Sequence, residues 1–367
     1  MRIINIYTLY LVLFAFLLQS CSEMNEPVDR FLDEGEIIYA AKVDSVAPRT
    51  GKNRIQLDIS ILSQRIEFVR ILWNDLQDSV DIEIKNKTGV FSTVLNEMEE
   101  KNYLFQLVSY DEFGNKSLPV EATGKVYGAV YESKLVSRSG KIVSSVDGLV
   151  VNFSSAPDGN VATEVNYMNS SGEATTVSVP ATENSYVITD SNLDSEFAFS
   201  STYSAEHGID MFYSSSYSLS GPFRFDVNDL SIVDYSTTHG GGENNVSNII
   251  SGDEGVRWHS QAGGSSYPHF ATIDMGGERT ISKLGIWRSI FDGGGDNRAP
   301  DEIQLFISMD NENWSDIGLG VTPFNRLING EQFFELPNSV QTRYLKFVAV
   351  SGPENNMVLG GISIYGF

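Results

Sequence analysis

From Glu36 to the C-terminus the chain is a succession of short segments in which apolar and polar residues alternate, separated by turn formers. A period of two buries one face of each segment and wets the other, which is the pattern of strands and not of helices. The stretch Arg54-Ile55-Gln56-Leu57-Asp58-Ile59-Ser60-Ile61 shows it most clearly. Segments 67–73, 79–84 and 103–110 follow, and residues 111–117 read as a hairpin turn. A similar series, 149–154, 163–167, 175–179 and 196–203, is punctuated by Pro157-Asp158-Gly159-Asn160 and Ser170-Ser171-Gly172-Glu173. The chain is all-β, and 367 residues are too many for one ordinary domain.

The only cysteine is Cys21, so the rest of the chain has neither disulfides nor a thiolate metal site. It closes a leader in which Met1-Arg2 precedes an apolar run, residues 3–18, broken by Asn5 and Thr8 and followed by Gln19-Ser20-Cys21. That run is short for a spanning helix and suits a secretory signal. It resembles a bacterial lipoprotein signal, which implies lipid on Cys21; an ordinary cleaved signal or an uncleaved anchor is the alternative. Ser22 resembles lipoproteins sent to the outer membrane, and Glu23 and Glu26 resemble the surface-export tag of Bacteroidetes lipoproteins. The localisation this implies is the outer membrane, lipid-anchored and facing the exterior. The formal charge of −23 lacks the basic footprint nucleic acid requires and disfavours anionic membrane surfaces, leaving the lipid as the only membrane contact. The same charge also simply maintains solubility.

Function is concentrated near the C-terminus. Trp258-His259-Ser260, Tyr267-Pro268-His269, Ile273-Asp274-Met275-Gly276, Arg288, Ser308-Met309-Asp310 with Trp314, Arg343-Tyr344-Leu345-Lys346 and Ile364-Tyr365-Gly366 occur in that order. Together they resemble a discoidin (coagulation factor 5/8 type C) domain, and within it the family 32 carbohydrate-binding modules. Upstream, Tyr103 opens its segment where a fibronectin-type sandwich places its tyrosine corner. Residues 30–222 also resemble an uncharacterised lipoprotein family that precedes discoidin domains. Its carriers are Gly35-Glu36-Ile37-Ile38-Tyr39, Gly51-Lys52-Asn53-Arg54, Val126-Tyr127-Gly128 and Ile209-Asp210-Met211-Phe212-Tyr213. The expected order is a signal (1–21), a linker (22–35), two fibronectin type III-like sandwiches (36–137 and 138–223) and a discoidin jelly roll (224–367).

In that last region a strand at 270–274 is expected to turn at Gly276-Gly277 into a second strand, 281–288, with a third at 302–308. The resemblance implies a glycan ligand and a binding rim made by residues 258–270 and 291–299. Arg288 matches an arginine that contacts sugar in several family 32 modules, and its fork suits two neighbouring hydroxyls; a salt bridge with Asp292 or Asp296 is the competing role. His259 and His269 can each donate and accept, as hydroxyl ligands require, or be satisfied structural histidines. Asn297 and Arg298 face them on the other loop. Phe291 is the candidate stacking ring, with Tyr267 as its rival, whereas Trp258, Trp314 and Tyr365 are expected to be packed.

No cofactor and no metal are expected. The resemblance implies a structural calcium held by an Asp, a Thr and a late Glu, but this chain has Ser251, Val256 and Gly361 there, and hard cations need carboxylates, for which Asp253 and Glu254 are the alternative source. His239-Gly240-Gly241-Gly242 is like the oxyanion loop of some lipases, yet no G-x-S-x-G elbow accompanies it. Asp292-Gly293-Gly294-Gly295-Asp296 lacks the lysine of a phosphate loop and the spaced carboxylates of an EF-hand. The reading is therefore a non-enzymatic surface lipoprotein that captures glycan, with an outer-membrane uptake complex as a partner. The alternatives are an adhesion or assembly module with a broad apolar patch, and a glycosidase pairing Asp292 or Asp296 with Glu302.

Overall fold

A computed structural model describes residues 38–192 and 195–367. Cys21 and the 22–35 linker lie outside the described residues. These fall into two units, 38–128 and 129–367. Among them no helix is long and apolar enough to cross a membrane.

The first unit is a sandwich of seven antiparallel strands: β1 (Ser45–Thr50), β2 (Ile55–Ile61), β3 (Phe68–Trp73), β4 (Asp78–Glu83), β5 (Gly89–Leu95), β6 (Asn102–Tyr110) and β7 (Val120–Lys125). One sheet has the order β1-β2-β5 and the other β4-β3-β6-β7, which is the fibronectin type III arrangement. The sequence alternation dictates the packing. Ile55, Leu57, Ile59 and Ile61 of β2 are fully buried against Phe105 and Leu107 of β6, while Gln56, Asp58 and Ser60 face outward. Tyr103 forms the tyrosine corner, its hydroxyl donating to the Glu99 carbonyl at 3.2 Å.

The second unit begins with a one-turn helix α1 (Ala129–Glu132). Its first sandwich comprises β8 (Gly140–Ser145), β9 (Gly148–Phe153), β10 (Asn160–Met168), β11 (Ala174–Pro180), β12 (Ser185–Ile188), β13 (Glu196–Ser204), β14 (Met211–Tyr213) and β15 (Tyr217–Ser220). The orders β12-β9-β8 and β11-β10-β13-β14, with β15 also on β13, repeat the first topology with a split last strand. Arg138, 1% exposed, closes its end by donating to the Ser154 and Glu183 carbonyls and to Asn184 Oδ1.

The C-terminal region is a jelly roll. Its strands are β16 (Phe223–Arg224), β17 (Ser231–Tyr235), β18 (Trp258–His259), β19 (His269–Trp287), β20 (Glu302–Ser308), β21 (Ser315–Asp316), β22 (Thr322–Pro323), β23 (Gln332–Ser351), β24 (Val358–Leu359) and β25 (Gly361–Gly366). The main sheet runs β16-β25-β19-β23-β20-β21. The expected reversal at Gly276-Gly277 is not made. β19 continues through these residues and pairs with β23 on both sides, with a register shift between Asp274 and Arg279. Gly276, at φ +77°, lets the strand bulge without reversing. Trp258, fully buried, sits in the core edge-on to Phe347, with its indole N–H on the Thr237 carbonyl at 2.9 Å.

The jelly roll is locked to the preceding sandwich. The buried Arg279 donates to Ser144 Oγ at 2.7 Å, lies 3.4 Å from Asp229 and places its guanidinium 3.8 Å above the Phe225 ring. Asp229 also accepts from the Val146 N–H in the β8–β9 turn.

Candidate functional site

Backbone hydrogen bonds knit the loops around β18 and β24 into one surface: Ser260 N–H donates to Met357, Val358 N–H to Arg298 and His239 N–H to His259. In this surface lies an open, polar depression of about 470 Å³. Arg298, Asn297, Asp292 and Asp296 line it from the 288–299 loop, and Arg326 and Glu354 from elsewhere.

Its floor is an ion network. Asp296, with a side chain 7% exposed, takes Arg298 Nε at 2.8 Å and Nη2 at 2.6 Å in a bidentate pair. Burial works to raise the Asp296 carboxyl, but the Arg298 hydrogen bonds and the charges of Arg298 and Arg257 outweigh it and hold the group below the usual carboxylate range. Arg257 reaches Asp292 at 2.6 Å, donates Nε–H to Asn244 Oδ1 at 2.9 Å and lays its guanidinium 4.5 Å from the Phe291 ring centroid. Phe291 therefore already has a cation on its face.

Arg298 Nη1 meets His259 Nε2 at 2.9 Å. An arginine only donates, so Nε2 must accept, and the proton of neutral His259 lies on Nδ1, directed at the Ser260 carbonyl. Burial, with Arg298, His239 and Arg257 nearby, lowers the His259 pKa. His259 is 5% exposed and orients Arg298 from below. His269 is fully buried, donates Nε2–H to the Asn355 carbonyl at 2.8 Å and has its pKa lowered by burial. It anchors the 352–357 loop, and Tyr267 packs against it edge-on with a hydroxyl whose pKa burial raises.

Arg288 does not face the rim as its fork suggested, nor does it pair with a carboxylate. It is 3% exposed, and its guanidinium lies under the loop, donating to the Gly294 and Asp296 carbonyls and to Asn297 Oδ1. The reason is geometric: it follows the last residue of a central strand, and the glycine-rich loop folds back over it. Of the six candidate binding residues, Asn297 and Arg298 line the depression. Arg288, His259 and His269 are buried beneath these loops, and Phe291 is half-buried under Arg257.

The sequence reading missed Arg257, Arg326 and Glu354. Arg326 donates to Asp301 at 2.7 Å and to the Asn297 carbonyl at 3.1 Å, and Glu354 has no hydrogen-bond or ion-pair partner among the described residues, although its charge acts on Arg298. Pro353-Glu354-Asn355-Asn356 carried turn chemistry that marked a loop, but nothing local joined it to residues 292–298.

Calcium does not fit the positions the resemblance implied. Ser251 Oγ donates to the Asn248 carbonyl, Val256 has no side-chain oxygen, and a Cβ on Gly361 would lie 2.1 Å from the Trp287 ring, which fills the place a glutamate would need. Arg224 stands beside Gly252 with a buried Nη2 that lacks a partner, placing a cation in the same neighbourhood. Among the described residues no group of three or more His, Cys, Asp or Glu is placed to hold a metal.

Residues 21–212, more than half of the chain, match a family described as a domain of unknown function. The chain belongs to that family. Residues 232–360 match the F5/8 type C domain, and the jelly roll is one. No curated protein matches the chain. Among solved structures, it is similar to a family 32 module from Clostridium perfringens in complex with GalNAc-β-1,3-galactose: 18% identity over 39% of this chain and 99% of that one, TM-score 0.35. A second is the C-terminal domain of a Bacteroides fragilis chitobiase, at 24% identity over 39% and 97%, TM-score 0.35. A third is a C. perfringens family 32 module in complex with galactose, at 14% identity over 39% and 97%, TM-score 0.34.

Proposed function

We propose that the F5/8 type C domain binds glycan at the 470 Å³ depression and that the chain is a surface lipoprotein that captures polysaccharide for an outer-membrane uptake complex. The observation that carries the binding reading is a polar depression whose arginine donors are held in place before any ligand arrives and which has a carboxylate at its edge. Arg298 and Arg326, with side chains 28% and 30% exposed, offer directed N–H groups, and Glu354 offers an acceptor. Such a mixture suits a ligand that presents many hydroxyls, and holding Arg298 from two sides reduces the ordering cost of binding.

A carboxylate-pair hydrolase is less well supported. A glycosidase acid needs a raised pKa, and Asp296 is held ionised by two arginines, while Glu302 accepts from Ser351 Oγ at 2.7 Å. The reading is one of binding without chemistry.

Galactose and GalNAc-β-1,3-galactose, named with two of the similar structures, are the first probes, followed by a glycan array with the full chain. Glu354→Ala, a surface change, is expected to weaken binding about tenfold, since a charged hydrogen bond contributes roughly 1.5–3 kcal/mol. Failure to bind any glycan overturns the reading. The anchor is tested separately by labelled fatty-acid incorporation: wild type is expected to incorporate it and Cys21→Ser to lose it, and label persisting in the variant refutes the anchor.

A further inference from the structure

We propose that the site continues past Arg326 into a second depression and takes an extended oligosaccharide, with Phe333 as the stacking ring. This rests on the glycan reading above and names the form of the ligand. The second depression, of about 490 Å³, is lined by Arg326, Phe333, Phe334, Leu327 and Gln332 among others. Arg326 lines both depressions and is a wall they share.

The first depression has no free aromatic face. Phe291 carries Arg257 on its ring, and Tyr267 is committed to His269. Phe333 also has a cation over its ring, Lys283 at 4.9 Å, and meets Tyr365 edge-on at 5.9 Å. It differs in exposure: at 54% exposed it keeps ring surface open to a ligand where Phe291 is half-buried. A sugar ring has an apolar C–H face as well as hydroxyls, and ligand sites characteristically combine an aromatic wall with a few placed polar groups. The two parts are here split between adjoining depressions, which a single sugar in either one would not use together.

The connecting loop is pre-formed. Asn325 N–H donates to Gln332 Oε1 at 3.1 Å, Gln332 Nε2 returns a bond to the Asn325 carbonyl at 2.9 Å, and Leu327 N–H donates to Asn325 Oδ1 at 3.1 Å. Asn329 packs against Gly294, where a Cβ would lie 3.1 Å from its amide nitrogen, so this loop touches the one that bears Arg298.

The test is calorimetric titration of the full chain with galacto-, gluco-, manno- and chito-oligosaccharides, each as monosaccharide and as tetrasaccharide. At least one tetrasaccharide is expected to bind about tenfold tighter than its monosaccharide. Phe333→Ala and Phe333→Leu should abolish that gain and leave monosaccharide affinity within about twofold, with melting curves recorded for both. Glu354→Ala should weaken both lengths. Equal affinity for the two lengths, or a gain that survives folded Phe333 variants, overturns the extended site while leaving glycan binding intact. If no saccharide of any series binds, both proposals fall.

Discussion

The ion network makes Asp296→Asn the most informative single change. The substitution keeps shape and replaces a carboxylate that accepts Arg298 at 2.6 and 2.8 Å, and stands 3.5 Å from Arg257, with an amide that turns one donor towards them. The Asp296 side chain is 7% exposed, so loss of its charge leaves Arg298 without its carboxylate and with little water to replace it, while Arg257 keeps Asp292 at 2.6 Å. Hydrogen bonds between charged partners contribute about 1.5–3 kcal/mol, and removing one partner of a buried pair costs about 3–5 kcal/mol. Arg298 is 28% exposed and recovers part of its solvation, which brings the expected loss to about 2 kcal/mol. That is roughly a thirtyfold change in the folded-to-unfolded ratio. Three of the four tryptophans, Trp258, Trp287 and Trp314, belong to the jelly roll, so urea melts followed by tryptophan fluorescence report mainly on it. The freed Arg298 should also weaken glycan binding by about tenfold or more. An unchanged melting midpoint together with unchanged affinity refutes the idea that this pair orders the site.

Acid should loosen the same region. His259 and His269 both have lowered pKa values, so the unfolded chain takes up protons at these positions that the folded chain refuses. Stability is then full above the ordinary 6.5 and declines as pH falls below it; a midpoint that stays flat from pH 7.5 to 5 contradicts this. Arg288→Ala is expected to lower stability by about 2–4 kcal/mol, because three bonds under the loop vanish from a buried site, and to lower glycan affinity through the disordered loop. An unaltered melt would show that the arginine is dispensable to the loop. Calcium and a chelator should give the same melting temperature, where a ligand at a hundredfold excess over Kd would add about 2.7 kcal/mol; a clear calcium-dependent rise would reveal a site built from other oxygens.

Much of the fold was legible in the sequence because strands announce themselves locally. The alternation at 54–61 became β2 with every second residue buried, and Tyr103 closed the corner its position implied. Trp258 proved to be core, as its place in the discoidin pattern implied. Gly276-Gly277 was misread because a glycine pair permits a bulge or a reversal equally well, and only the β23 pairing decides between them. The site was legible in part. Asn297 and Arg298, expected from their place on the glycine-rich loop, line the depression. Arg288 was expected to face the rim because it matches a sugar-contacting arginine of family 32 modules and its fork suits two hydroxyls, and no local signal foretold the loop folding over it. Arg326 and Glu354 come from loops about 30 and 60 residues further on, and the fold alone brings them to Arg298.

The most direct measurement is a glycan array probed with the full wild-type chain and with Glu354→Ala and Asp296→Asn at equal concentration. The account predicts binding to a defined set of glycans by the wild type, reduced about tenfold in both variants, with Glu354→Ala melting as the wild type does. A wild-type chain that binds no glycan, or that binds as well when both side chains are changed, would contradict it.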